Sequence, residues 1–219
     1  MILLAIDTSG SGCYAAIHDS DTDRFLGVAG EEIGRGHAER LMDVIDQALG
    51  NAGIELAAIE RIAVTVGPGS FTGIRVGVSA ARGLSLALGV PAVGVSTLAA
   101  IAAGHLREHP GAPAFVAMDA KRGEAYCQAF SVDGEPVGEA SVLSIEDARA
   151  AAALAGGTVI GSAAPLLSGA DAAGPPDAVS IDIVARLGAV ADPLAARPKP
   201  LYLRGPDAKP QAGFAIARA

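Results

Sequence analysis

Residues 2–6 are continuously apolar and stop at Asp7. A short apolar run that ends in turn chemistry, here Thr8-Ser9-Gly10-Ser11-Gly12, predicts a buried strand. Residues 13–18 form its return partner, so the pair makes a β-hairpin with an acid and small hydroxyls at the tip. A third strand is expected over 25–31. From 37 to 49 the period changes. Leu41, Val44, Ile45, Ala48 and Leu49 share one helical face, while Asp43, Asp46 and Gln47 fall elsewhere on the wheel. Asn51 and Gly53 end that helix. Residues 61–66 read as a buried strand, 67–70 as a tight turn and 72–88 as a second helix. Gly89-Val90-Pro91 stops the helix before another strand over 92–95.

The second helix carries small residues at a fixed spacing: Gly73, Gly77, Ala81 and Ser85 lie four apart on one face. Such a stripe lets a neighbour approach closely. The neighbour is either the protein's own sheet or another subunit, and opposite faces of one helix can serve both.

The second half opens after a Pro/Gly-rich joint at 110–113 and repeats the first. Phe115-Val116-Ala117-Met118-Asp119 aligns with Leu3-Leu4-Ala5-Ile6-Asp7 at an offset of 112, and Tyr126 aligns with Tyr14 at the same offset. A helix over 145–155 and a strand with a small-residue turn over 158–162 follow in the same order, which points to a duplication. A Gly/Ala/Pro loop at 168–178, a helix around 180–190 and an extended segment over 198–204 complete the chain. Its last residues read as a loose tail.

Composition narrows the function classes. The 219 residues are 51% hydrophobic and 18% charged, without Trp or low-complexity tracts, which predicts a folded chain with a sizeable core. The net charge is −8 and the pI about 4.9. No run of the sequence makes the basic stripe of an independent RNA-binding module, so any RNA role would need a partner to hold the RNA. Cys13 and Cys127 form no CxxC motif and sit in apolar runs, as buried reduced thiols do. The N-terminal run lacks the basic region of a signal peptide and reads as a strand, and no apolar run reaches membrane-spanning length. A cytoplasmic location without membrane contact is expected.

Three constellations could carry chemistry. Asp7 and Asp119, if both face one inter-domain cleft, could hold Mg²⁺ and nucleotide phosphates with the backbone of their turns; the simpler role of each is to cap its turn. The turns differ, because Lys121 and Arg122 stand where Ser9 and Gly10 do. The segment Gly67-Pro68-Gly69-Ser70-Phe71-Thr72-Gly73 resembles an anion-binding helix start, but it has neither a Walker Lys nor dinucleotide-fingerprint spacing. His105 and His109 have metal-ligand spacing without a clear third ligand. No Ser-His-Asp or Cys-His set stands out.

Ile6-Asp7-Thr8-Ser9, Gly36-His37-Ala38-Glu39-Arg40-Leu41 and above all Gly67-Pro68-Gly69-Ser70-Phe71-Thr72-Gly73-Ile74-Arg75-Val76-Gly77 resemble the TsaB (YeaZ) family. Asp119 to Tyr126 and Tyr202-Leu203-Arg204 extend the resemblance. It implies an α/β duplicated ribonuclease-H-like, actin-like (ASKHA) fold: two subdomains, 1–108 and 109–219, with mixed sheets flanked by helices.

The resemblance further implies a non-catalytic subunit of the complex that makes threonylcarbamoyladenosine (t6A) next to the anticodon. There it would scaffold and activate TsaD together with TsaE, pair with itself when alone, and meet tRNA only through the complex. The first two helices would form the partner surface, through Leu41, Met42, Ile45, Gly73, Val76, Gly77, Ala80, Ala81 and Leu84. Asp7, Thr8, Ser9, Asp119, Lys121 and Arg122 would mark a vestigial nucleotide cleft. The complex would use ATP and Mg²⁺, with no catalytic residue, metal or cofactor assigned to this chain. Thr97 and Ile101 would stand where the TsaD-type HxxxH metal pair falls, and isoleucine cannot ligate. The competing reading is a stand-alone nucleotide-dependent kinase or M22 metallopeptidase-like hydrolase of the same superfamily.

Overall fold

The computed structural model describes residues 1–204, and the tail expected after them lies outside the described residues. The first sheet begins with an antiparallel meander, β1 (Ile2–Asp7), β2 (Gly12–Asp19) and β3 (Arg24–Glu32). Helix α1 (His37–Ala52) follows, and Gly53 closes it with left-handed φ of 67°. Then come β4 (Arg61–Gly67), α2 (Phe71–Leu88), β5 (Ala92–Ser96) and α3 (Thr97–Glu108). The strand order is β3-β2-β1-β4-β5, with β4 parallel to β1 and to β5.

The second sheet repeats the scheme. Strands β6 (Ala114–Lys121), β7 (Glu124–Phe130) and β8 (Pro136–Ser144) form a meander, α4 (Ile145–Ala155) follows, and β9 (Thr158–Ile160) returns parallel to β6. The order β8-β7-β6-β9 matches β3-β2-β1-β4. This duplicated ribonuclease-H-like, actin-like arrangement is the one expected. Two further helices, α5 (Ala164–Leu167) and α6 (Ile181–Val190), complete the described chain.

The apolar runs of β1 and β4 are continuous, not alternating, because their sheet is covered on both faces. Leu4, Ile6, Ile62 and Val64 pack under α1 and α2. Leu3, Ala5, Ala63 and Val93 pack against Ile183, Val184 and Ala185 of α6. Contact there is close: a Cβ on Gly188 would stand 2.2 Å from the Ala63 Cβ. The second sheet is likewise two-sided, with Phe115 and Ala117 facing α4 and α5, and Val116 and Met118 facing Leu98 and Ala102 of α3.

Packing crosses the division expected at 108/109, and Ala100 of α3 also belongs to the first sheet's cluster. Helix α3, from the first half, covers the second sheet, and α6, from the second half, covers the first. Arg61 fixes this exchange by donating from one guanidinium nitrogen to the Gly188, Ala189 and Ala191 carbonyls at the end of α6. The extended segment after α6 also returns to the first half, where Leu201 N–H donates to the Val66 carbonyl at 2.7 Å.

A correction concerns the repeat. Asp7 pairs with Tyr14, but Asp119 pairs with Ala125 and Tyr126 with Met118. The second turn is shorter and its ladder is irregular between Asp119 and Lys121, so the matched tyrosines are one residue out of register. The equivalent aspartates survive this shift.

Candidate functional site

Asp7 ends β1 almost fully buried. Its Oδ1 accepts from Ser9 N–H at 2.9 Å, Ser9 Oγ at 2.7 Å and Thr65 Oγ1 at 2.7 Å. This is a turn cap braced from β4. The glycine loop packs directly on that turn: Ser70 N–H donates to the Ser9 carbonyl at 2.7 Å, and a Cβ on Gly69 would meet the same oxygen at 2.3 Å. Ser70 caps α2 through Gly73 N–H, and Thr8 Oγ1 donates to the Gly73 carbonyl at 2.8 Å. The start of α2 is thus occupied by the protein's own first turn. The loop is a close-packing device rather than the anion site its composition suggests.

Asp119 caps its turn in the same manner, with Oδ1 accepting from Lys121 N–H at 2.8 Å. Its Oδ2 receives Lys121 Nζ at 2.6 Å. Burial opposes the Asp119 charge, but the Lys121 hydrogen bonds and charge outweigh it and hold the carboxyl below its ordinary range. Lys121 and Arg122 both adopt left-handed backbone, with φ of 63° and 60°.

A cleft of about 290 Å³ lies between the halves. Asp7 and Ser9 line it from the first half and Met118 from the second. Thr8 is buried beneath α2, and Asp119, Lys121 and Arg122 are not among the lining residues. Of the two aspartates, Asp7 lines the cleft and Asp119 does not.

In place of Asp119, the 171–180 loop brings Asp177 into the cleft beside Pro176 and Val179. Asp177 accepts from Ser162 N–H at 2.7 Å and from the Ser162 hydroxyl, whose oxygen in turn accepts from Asp119 N–H at 2.8 Å. Burial pushes the Asp177 carboxyl above its ordinary range, and the Asp119 charge adds to this against the Ser162 hydrogen bonds. Glu32 also lines the cleft, held low by hydrogen bonds from Ser11 and Tyr14. Among the described residues the lining has three acids and no Lys or Arg, a wall that repels phosphates. Asp177 is the residue that sequence reasoning missed, because a lone acid in a Gly/Ala/Pro loop carries no local signal.

Thr97, which opens α3, lines the same cleft, with a buried hydroxyl that has no hydrogen-bond partner among the described residues. Ile101 follows one turn later, packed beside the α3 face that meets the second sheet. Among the described residues no group of three His, Cys, Asp or Glu side chains can hold a metal. His105 and His109 lie at the end of α3 with ring centroids 4.7 Å apart, and burial and then His109 push the His105 imidazole below its ordinary value.

The surface of α1 and α2 is different in kind. A groove of about 450 Å³ runs between them, lined by Met42, Phe71, Arg75, Val76, Ser79 and Ala80 among others. Met42 is 46% exposed and Phe71 50%. The Arg75 guanidinium lies 3.8 Å from the centroid of Phe71, and its Nε donates to Tyr202 Oη at 2.8 Å.

Of the nine partner-surface residues expected, Met42 is exposed, and Val76, Ala80 and Leu84 are half-buried. Leu41, Ile45, Gly73, Gly77 and Ala81 are buried in the first subdomain's own core. A Cβ on Gly73 would come within 2.0 Å of the Thr8 carbonyl, and one on Gly77 within 2.3 Å of Thr8 Oγ1. The small-residue stripe serves the protein's own sheet, and the groove lies on the adjacent face.

Comparison with known proteins agrees with this architecture. The model of the family described as TsaD, tRNA N6-adenosine threonylcarbamoyltransferase, matches residues 13–160. The Escherichia coli protein named tRNA threonylcarbamoyladenosine biosynthesis protein TsaB is 35% identical over 133 residues, covering 61% of this chain and 56% of that protein. The chain spans from 52% to 58% of the length of three curated TsaB relatives. An uncharacterized protein of Mycobacterium tuberculosis is also 35% identical and is matched along 95% of its length, covering 96% of this chain. The solved structure of YeaZ from Pseudomonas aeruginosa superposes with a TM-score of 0.74 at 28% identity, over 92% of this chain and 99% of that one. Motif, topology and relatives converge: the chain belongs to the TsaB/YeaZ family, within the wider group described by the TsaD family model.

Proposed function

We propose that this chain is a non-catalytic subunit of the assembly that makes t6A in tRNA, where it scaffolds and activates TsaD together with TsaE. The groove between α1 and α2 carries the reading. It exposes Met42 and Phe71 along an apolar floor, as a helix-binding surface does. A partner's paired helices would complete a bundle there, and a second copy of this chain would use the same face when no partner is present. The acid-lined cleft, to which the 171–180 loop adds Asp177, supports the non-catalytic part of the proposal. ATP and Mg²⁺ would then be handled elsewhere in the complex.

The test is t6A formation in vitro with this chain omitted and restored, alongside capture of TsaD by the tagged chain. Met42→Asp, Val76→Arg and Ala80→Arg each put a charge into the apolar contact. Each should weaken capture by about 2 kcal/mol, roughly thirtyfold. Met42 is exposed, so its variant keeps the fold. Undiminished capture by all three would remove the groove from the mechanism, and full modification without the chain would remove the function.

A further inference from the structure

The fold assembles a basic surface that the linear sequence does not display. A second groove, of about 830 Å³, lies between the C-terminal half of α2 and the segment after α6. Arg82, Arg197 and Lys199 line it together with Ser85, Leu86 and Pro198, and no carboxylate does among the described residues. All three cations are exposed. None makes an ion pair among the described residues. By contrast Arg40, Arg107, Arg186 and Arg204 are each tied to a carboxylate.

In a chain of net charge −8, three cations unpaired among the described residues, around a groove that no described acid lines, are not an average surface. Two come from the extended segment and one from a helix more than a hundred residues earlier. Backbone pairing brings them together, since Gly94 N–H donates to the Ala196 carbonyl at 2.7 Å immediately before Arg197. Arg75 stands two helical turns before Arg82, so the cations run along one side of α2. That side adjoins the α1/α2 groove, where Val76 and Ala80 lie.

We infer that the Arg82–Arg197–Lys199 groove contacts the phosphate backbone of the tRNA, next to the seam between this chain and its partner. The inference rests on the proposed place of the chain in a tRNA-modifying complex. Open, unpaired cations suit phosphates, which need charge and access but no shaped base pocket. The chain then adds affinity to a complex whose other members supply the reacting groups.

The experiment measures tRNA affinity of the reconstituted complex as a function of salt, with the wild-type chain, with Arg82→Gln/Arg197→Gln/Lys199→Gln, with Arg82→Lys/Arg197→Lys, and without the chain. Three phosphate contacts account for about a 20- to 40-fold loss of affinity between about 50 and about 200 mM salt. The glutamine variant should bind tRNA more weakly at low salt, with a log–log salt slope shallower by about 2 to 3. The lysine variant, which keeps the charge, should bind as wild type does. Partner capture should be equal for all. If the glutamine variant matches wild type in affinity and slope while the chain-free complex binds more weakly, the groove is not the contact and this inference fails alone. If the chain-free complex binds tRNA equally well, the contribution of the chain to RNA binding fails with it. If the glutamine variant instead loses its partner, the groove belongs to a protein interface and the inference is overturned.

Discussion

Two glycines of α2 should respond in opposite directions to one added methyl group. Gly83 is exposed in the helix interior, and a Cβ there meets nothing within 4 Å. Gly83→Ala should gain most of the helix-propensity difference, about 0.8 to 1 kcal/mol. Gly73→Ala gains at most as much, because Gly73 lies in the first turn of the helix. Its Cβ, however, would lie 2.0 Å from the Thr8 carbonyl oxygen and 3.2 Å from both the Thr8 carbonyl carbon and Ser70 Oγ. Both obstructing Thr8 atoms are backbone, so α2 must retreat from β1. Overpacking of this kind costs about 1 to 3 kcal/mol. The retreat also lengthens the 2.8 Å hydrogen bond from Thr8 Oγ1 to the Gly73 carbonyl, which costs a further 1 kcal/mol or so. The net effect is a loss of about 1 to 3 kcal/mol. Urea unfolding of the two variants beside wild type measures both, and melting should move by about 2 to 4 °C per kcal/mol in opposite senses. A Gly73→Ala protein as stable as wild type but unable to capture its partner would refute the assignment of the stripe to the protein's own sheet.

Removing the guanidinium in Arg61→Met leaves three α6 carbonyls without their donor and should cost about 1 to 3 kcal/mol in urea unfolding, with Arg61→Lys recovering part of it. Asp177 has a folded-state pKa above its unfolded value, so between the two the native state binds more protons and stability falls as pH rises. The stability of wild type minus that of Asp177→Asn should therefore decline from the ordinary carboxylate range upward, and a flat or rising difference would contradict the burial argument. Burial pushes the Cys13 thiol up to about 11 and the Cys127 thiol up to about 12. Neither should react with a thiol reagent at pH 8 until denaturant is added, and fast labelling of the native chain would show that one of them is open to solvent.

Local elements were readable because their signals are local. The apolar run of β1, the helical period of α1 and the Gly53 stop need only neighbours in sequence to be interpreted. The edge strand β8 has no comparable signal, because its mostly exposed positions leave no apolar pattern. The small-residue stripe of α2 was visible, but its partner was not, since spacing states how near a neighbour can come and not which neighbour it is. The same ambiguity mixed core residues such as Leu41 and Ile45 with surface residues such as Met42 among the expected contacts. Asp7 and Asp119 align in the repeat and each caps its turn, yet only Asp7 lines the cleft. A shift at one turn and a loop 58 residues downstream decided that.

By itself, then, the sequence determined the duplicated strand–turn–helix order, the family motif and the absence of a contiguous basic run. All three are properties of short stretches governed by backbone sterics and apolar period. The tertiary structure alone decided the exchange of α3 and α6 between the halves, the arrival of Asp177 in the cleft and the meeting of Arg82 with Arg197 and Lys199. Each joins residues far apart in the chain, and which distant surfaces meet is set by how two-sided sheets must be covered, a constraint that no local pattern encodes.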